Sequence, residues 1–195
     1  MLKVGLTGGM ACGKSFVAAE LGRLGCHLIE ADDVGHQVMQ PGGEAHDAVL
    51  GAFGTLDRSL LAERVFADPA ELEKLNAIVH PAVRARTSRQ FEELGVSDPH
   101  GIVVYVAAIL IEAGAYREVD KMIVVSCPPE QQMERAMHRP GASITSVRAR
   151  LEHQMPLEKK KEFADYVIDT SGAKEDTVRQ TEVVYKDLLK LCTRI

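Results

Sequence analysis

The stretch GLTGGMACGKS, Gly5 to Ser15, follows an apolar start (Met1, Leu2, Val4) and constrains this chain more than any other segment. Gly8, four intervening residues, then Gly13, Lys14 and Ser15 match G-x-x-x-x-G-K-[ST]. The context fits the motif: KVGLT (3–7) reads as a short strand, and Val17, Leu21 and Leu24 have the spacing of a helix that begins near Lys14. Such a strand–loop–helix is a phosphate cradle. Glycine permits the tight curve and close approach that let backbone N–H groups converge on phosphate oxygens. The helix N-terminus adds partial positive charge. Lys14 can reach the β- and γ-phosphates, and the Ser15 hydroxyl can ligate Mg²⁺. A plain glycine-rich turn with an exposed lysine would not require the full spacing. The loop therefore predicts binding of a nucleoside triphosphate and leaves the reaction open.

The remaining strands are read from apolar runs: CHLIEA (26–31), GIVVYVAAIL (101–110), KMIVVSC (121–127) and ADYVIDT (164–170). Helical spacing between them argues for βαβ units, an α/β fold with a five-stranded parallel sheet. IVVYVAAILI (102–111) is the longest apolar run, too short for a bilayer and suited to a strand buried on both faces. Residues 32–100 carry helical patterns and no clear strand, so they read as a helical insertion packed over the sheet edge. Within it Leu72, Leu75, Ile78 and Val79 have helical spacing, and Pro81 is expected to kink or divide the helix. GVSDPHG (95–101) reads as the turn back into the sheet, and residues 138–163 as a mobile loop leading into a helix. At 195 residues the whole is expected to be a single domain.

Formal net charge is -5, which gives no global signal for nucleic acid or membrane. The four cysteines are scattered without a CxxC pair, so a reduced, cytoplasmic protein is the default expectation. Lys159, Lys160 and Lys161 read as a solvated face.

Asp32, in EADDVGH (30–36), falls where the second strand should end and a helix begin. Two readings stand side by side. A carboxylate at the carboxyl edge of the sheet can take a proton from an attacking hydroxyl, and Asp is also a favoured helix N-cap. His36 lies four residues on, where it can share a helix face with Asp32. Asp32 and Gly35 also form D-x-x-G, but no N-K-x-D guanine motif exists to make a GTPase. Arg135 and Arg139 are four apart before a Pro-Gly loop, and Arg150 and Gln154 repeat the spacing. Arginines there can clamp phosphates, although each taken singly reads as a surface ion-pair residue.

The succession GLTGGMACGKS, EADDVGH followed by PGG, LAERVF, IVHP, ILIE and RARLEHQMPLEKKKEFADYVID resembles the dephospho-CoA kinase family across nearly the whole chain. The resemblance implies a P-loop core, a helical acceptor-side domain within 32–100 and a lid within 138–155. It implies ATP and Mg²⁺, dephospho-CoA as the acceptor, and phosphorylation of the ribose 3′-hydroxyl at the last step of coenzyme A synthesis. By resemblance, Gly9, Met10, Ala11, Cys12, Gly13, Lys14, Ser15 and Phe16 form the ATP-phosphate loop. Asp32 matches the proposed catalytic base, and Arg139 a lid arginine that contacts ATP. His36, His80, Glu112, Arg150 and Gln154 join the acceptor side. The alternatives are another small-molecule or nucleoside monophosphate kinase, or a nucleotide-dependent binding module with weak ATPase activity.

The chain departs from the family pattern in places. Ala11, Cys12 and Phe16 stand where the family usually reads G-S-G-K-S-T, and Ala11 would be strained if its φ were positive. Glu30 replaces the first Asp of D-A-D. Ala108 and Ile111 replace the Pro and Phe of P-L-L-F-E, and Thr170 replaces a common Asn.

Overall fold

The computed structural model describes residues 1–138, 141–144, 147–148, 151 and 154–192. Five strands form one sheet in the order β2-β3-β1-β4-β5. They are β1 (Leu2–Gly8), β2 (His27–Glu30), β3 (Ile102–Val106), β4 (Lys121–Ser126) and β5 (Tyr166–Asp169). β1 pairs in parallel with β3 (Val4 opposite Val104) and with β4 (Gly8 opposite Val125), and β4 pairs in parallel with β5. The strand order reverses around β1, so the loop leaving β1 opens where parallel α/β sheets bind their ligands. All five residues of β3 are buried, as its unbroken apolar run requires. The strand ends at Val106, short of the expected Leu110. Ala107 N still donates to Leu6 O at 3.1 Å, after which the chain turns and Ala113 N donates to Ile109 O. The apolar Ala107, Leu110 and Ile111 are buried in that turn rather than in the sheet.

The chain divides into two compact units, Met1–Leu28 with Leu94–Ile195, and Ile29–Glu93. In the first, helix α1 (Lys14–Arg23) buries Val17, Ala18 and Leu21. The last helix, α8 (Lys174–Cys192), buries Thr177, Thr181, Val184, Leu188 and Cys192, a stripe repeating every three to four residues, and packs against α1. Two shorter helices, α6 (Pro129–Met137) and α7 (Leu157–Lys161), follow β4 and precede β5.

The second unit is helical: α2 (Ala31–Met39), α3 (His46–Phe53), α4 (Arg58–Ala67) and most of α5 (Pro69–Ser97). Asp57 caps α4, its carboxylate accepting from Ser59 N at 2.9 Å and Leu60 N at 3.0 Å. Helix α5 runs through Pro81 for 29 residues, so the proline does not divide it. Proline removes one hydrogen bond, and the long flanks on either side supply the rest. Leu72, Leu75, Ile78 and Val79 are only partly buried. Among the described residues no helix is long and apolar enough to cross a membrane.

Candidate active site

The phosphate loop is built from below. A Cβ on Gly8 would stand 2.5 Å from Val125 O, so β4 approaches too closely for any side chain there. Gly13 adopts φ 83 as the residue before α1, and its carbonyl accepts from Phe16 N at 3.0 Å and Val17 N at 3.2 Å. Gly13, the N-cap, has no side chain to cap α1, and no acidic residue lies in the helix's first turn. The partial positive charge of that end is left for a ligand. Lys14 is half-buried and Ser15 exposed, both at the start of this helix.

Ala11 has φ 59, the one non-glycine with positive φ among the described residues. The strain expected at this position is therefore present. The side chains of Met10 and Ala11 pack in a small apolar cluster with Ala136, Val147, Met133 and Leu151. They offer a ligand their backbone rather than their side chains. Cys12 is fully buried, with its sulfur 3.2 Å from that of Cys127, and both thiols are free. Burial, and next the Cys127 thiol beside it, push the Cys12 pKa up to about 12. Phe16 is half-buried, and the Lys174 ammonium lies 5.9 Å from its ring centroid.

Three supports were not legible as such in the sequence. Thr170 Oγ1 donates to Cys12 O at 2.8 Å, fastening the loop to the end of β5. Arg135 donates to Thr170 O at 2.8 Å and to its hydroxyl at 3.2 Å. Its guanidinium is thus engaged with the backbone and hydroxyl at the end of β5 rather than standing as a lone surface cation. Buried Gln132 donates to Cys127 O at 3.4 Å. The only sequence signal was indirect: Thr170 stands where the resembling family has another short hydrogen-bonding residue.

A cavity of about 670 Å³ borders Gly9, Cys127, Gln132, Gln154, Met155 and Asp169. Gln154 and Gly9 thus meet in one wall system, and the buried Gln154 Oε1 has no hydrogen-bond partner among the described residues. Glu112 is held by its own chain. Its Oε1 lies 2.9 Å from Lys160 Nζ and accepts from Met155 N at 2.9 Å. Lys160 itself is fully buried, which corrects the solvated reading of that run; Lys159 is exposed, and Lys161 pairs with Glu158 at 2.8 Å. Arg139 and Arg150 lie outside the described residues.

In the helical unit, α2 begins at Ala31, so the N-cap position falls to Glu30, which makes no capping bond with its side chain. Asp32 is the second helical residue, exposed, and bonded to no described residue. The N-cap reading of Asp32 is therefore set aside. A carboxylate in the first turn is nevertheless favoured by the helix dipole. His36 stands one turn on, its Nε2 3.1 Å from Gln40 Nε2. His80 lines a separate cavity of about 360 Å³ with Pro81, Arg84, Ala85 and Ser88, one face of α5. His80 is exposed at its surface, yet desolvation by the atoms crowded around its ring first, and then the Arg84 charge, hold its pKa below the ordinary value.

The model of the dephospho-CoA kinase family matches residues 2–176. The chain belongs to the dephospho-CoA kinase family. A dephospho-CoA kinase from Geobacter metallireducens is 40% identical over 198 residues, covering 97% of this chain and 98% of the relative. Among solved structures, a Thermus thermophilus protein superposes with TM-score 0.80 at 32% identity, covering 96% of this chain and 97% of its own. A dephospho-CoA kinase from Campylobacter jejuni superposes with TM-score 0.72 at 26% identity, with the same coverage of 96% and 97%. The chain is accordingly a P-loop kinase, an enzyme of the last step in coenzyme A synthesis. Its departures from the dephospho-CoA kinase pattern now have places in the structure. Ala11 takes the left-handed turn of the loop, Cys12 is sealed beneath it, and Thr170 ties the loop down.

Proposed function

We propose that the loop from Gly8 to Ser15 holds the ATP phosphates while Asp32 takes the proton from the 3′-hydroxyl of dephospho-CoA. The observation that carries this reading is the α1 N-terminus, whose N-cap Gly13 has no side chain, with Lys14 and Ser15 at its mouth. Backbone N–H groups and the Lys14 ammonium bind the triphosphate and stabilise the charge that spreads over the transferring phosphoryl group. The 3′-oxygen forms its bond to phosphorus as the bond to the ADP oxygen breaks, and Asp32 accepts the hydroxyl proton. Arg139, by family resemblance, adds positive charge at the ATP phosphates, and Arg150 and Gln154 join the acceptor side.

Mg²⁺ fits this donor set. The described residues contain no group of three His, Cys, Asp or Glu side chains able to hold a metal. An exposed hydroxyl beside a phosphate cradle suits an ion that keeps several waters and takes its remaining oxygens from substrate phosphates. Ser15 would hold it, and the ion would supply neutralisation of phosphate charge. The cavity of His80 and Arg84 suits an anionic part of the acceptor, and dephospho-CoA carries a diphosphate. His36, one turn beyond Asp32, is assigned to the same acceptor.

The test is an acceptor panel with ATP and Mg²⁺: dephospho-CoA, a nucleoside monophosphate, and no acceptor. Phosphorylated product with dephospho-CoA alone is expected. Product with the monophosphate would redirect the assignment to a different small-molecule kinase. Phosphate released at full rate without acceptor would make the protein an ATPase.

A further inference from the structure

The ammonium of Lys160 is fully buried in a helix of five residues whose neighbouring lysine, Lys159, lies in water. Burying a charge is costly, and a buried ion pair seldom adds stability over an apolar pair of the same volume. Leucine or methionine at this position would fill the space without that cost. What the charge does is fix backbone. Lys160 Nζ donates to Ala108 O at 2.6 Å and pairs with Glu112 Oε1 at 2.9 Å. That carboxylate oxygen also accepts from Met155 N at 2.9 Å. The Ala108 carbonyl is shared: Thr7 Oγ1 donates to it at 3.2 Å. Thr7 is fully buried and directly precedes Gly8, the first residue of the phosphate-loop motif. One ammonium therefore joins the turn after β3, the chain at Met155 and the root of the phosphate loop.

We propose that Lys160 is a positioning residue for phosphoryl transfer, holding Ala108 and Glu112 so that the loop after Thr7 keeps its catalytic geometry. The lysine touches neither substrate nor the reacting atoms and acts through these backbone points. The proposal rests on the assignment of phosphoryl transfer to the loop of Gly8–Ser15. Ground-state binding is spread over several loop amides and Lys14 and tolerates a small displacement of the loop, whereas turnover depends on the alignment of the reacting atoms. A misplacement of about 1 Å from a change remote from the chemistry can cost roughly 10²-fold in rate.

Two variants test this, with turnover, ADP affinity by calorimetry and Tm measured on each. Lys160→Met is expected to lose about 10²-fold in kcat while ADP affinity stays within about threefold, as expected where ground-state contacts are kept. Lys160→Met/Glu112→Leu leaves no carboxylate without its partner. It is expected to regain thermal stability and to remain as slow as the single variant. If Lys160→Met does not fold, the double variant decides, with Glu112→Leu alone as its control because Glu112 is also placed on the acceptor side: a double variant no slower than that control overturns the proposal. Near-normal kcat in either folded variant overturns the proposal, and so does a loss of ADP affinity as large as the loss of kcat. Lys14→Ala in the same assay separates this proposal from the one beneath it: undiminished turnover there would remove the phosphate-loop assignment, whatever Lys160 does.

Discussion

β1, β3 and β4 in the sheet unit are buried over nearly their whole length, whereas α5 buries only Thr87 and Phe91 of its 29 residues. The sheet unit spends its packing on holding one loop still. Val125 O excludes a side chain at Gly8, Thr170 holds Cys12 O, and Arg135 holds Thr170. The helical unit instead leaves chemistry-bearing side chains in reach of solvent, among them Asp32 in a first turn and His80 beside a cavity. Preorganised charge stabilisation requires rigidity, since donors must be in place before the charge develops. A group that receives a proton from a bound acceptor requires access first.

The sharpest way to break this contrast is to remove one charge from each unit. Lys14→Ala should lower kcat by about 10²–10³-fold and weaken ADP binding measurably by calorimetry. Asp32→Asn should lower kcat by roughly 10²–10⁴-fold with ADP binding unchanged. Near-normal turnover in Asp32→Asn would remove it as the base.

A smaller effect is expected from Pro81→Ala. Proline in a helix interior costs about 3 kcal/mol relative to alanine, so the variant should melt several degrees higher. No rise in Tm would show that the neighbours of Pro81 already compensate for the ring.

The sheet unit should show its own pH limit. Burial raises the Cys26 pKa from its ordinary 9.0 to about 12, and Cys12 is raised in the same direction. Above about pH 9 the unfolded chain releases thiol protons that the folded chain retains, so stability is fully present below that pH. It should then fall by up to roughly 1.4 kcal/mol per pH unit for each thiol. Urea unfolding at pH 8 and pH 10 measures the slope; equal stabilities would mean that the thiols are not sealed.

The smallest expected change is Ala11→Gly. Relief of a left-handed alanine gains about 1–2 kcal/mol, and the added freedom of the unfolded chain takes back about 0.4–1 kcal/mol. A modest rise in Tm or tighter ADP binding would confirm strain at Ala11, and a lower Tm would mean that the loop tolerates its curve.

Much of this was readable from residue order. The strand cores at Val4, Val104 and Val124 are apolar runs bounded by polar turns, and such runs carry their own conformational preference. Lys160 was not readable, because it sits in a run of three lysines and differs from its neighbours only in where α7 turns its face. The end of β3 was missed for a related reason. Ala107 to Ile111 is apolar enough to continue a strand, but its burial is satisfied in a turn.

The sequence by itself determined the phosphate loop, because the spacing of Gly8, Gly13, Lys14 and Ser15 is a local requirement of backbone curvature and charge. For Ala11 it posed only a condition, strain if φ were positive, and the structure supplied the φ of 59. Only the tertiary structure decided what supports the loop. Thr170, Arg135 and Lys160 lie more than a hundred residues from it and act through one or two hydrogen bonds each or through shared carbonyls. Such contacts depend on distance and direction between remote segments, which no local pattern of residue types encodes.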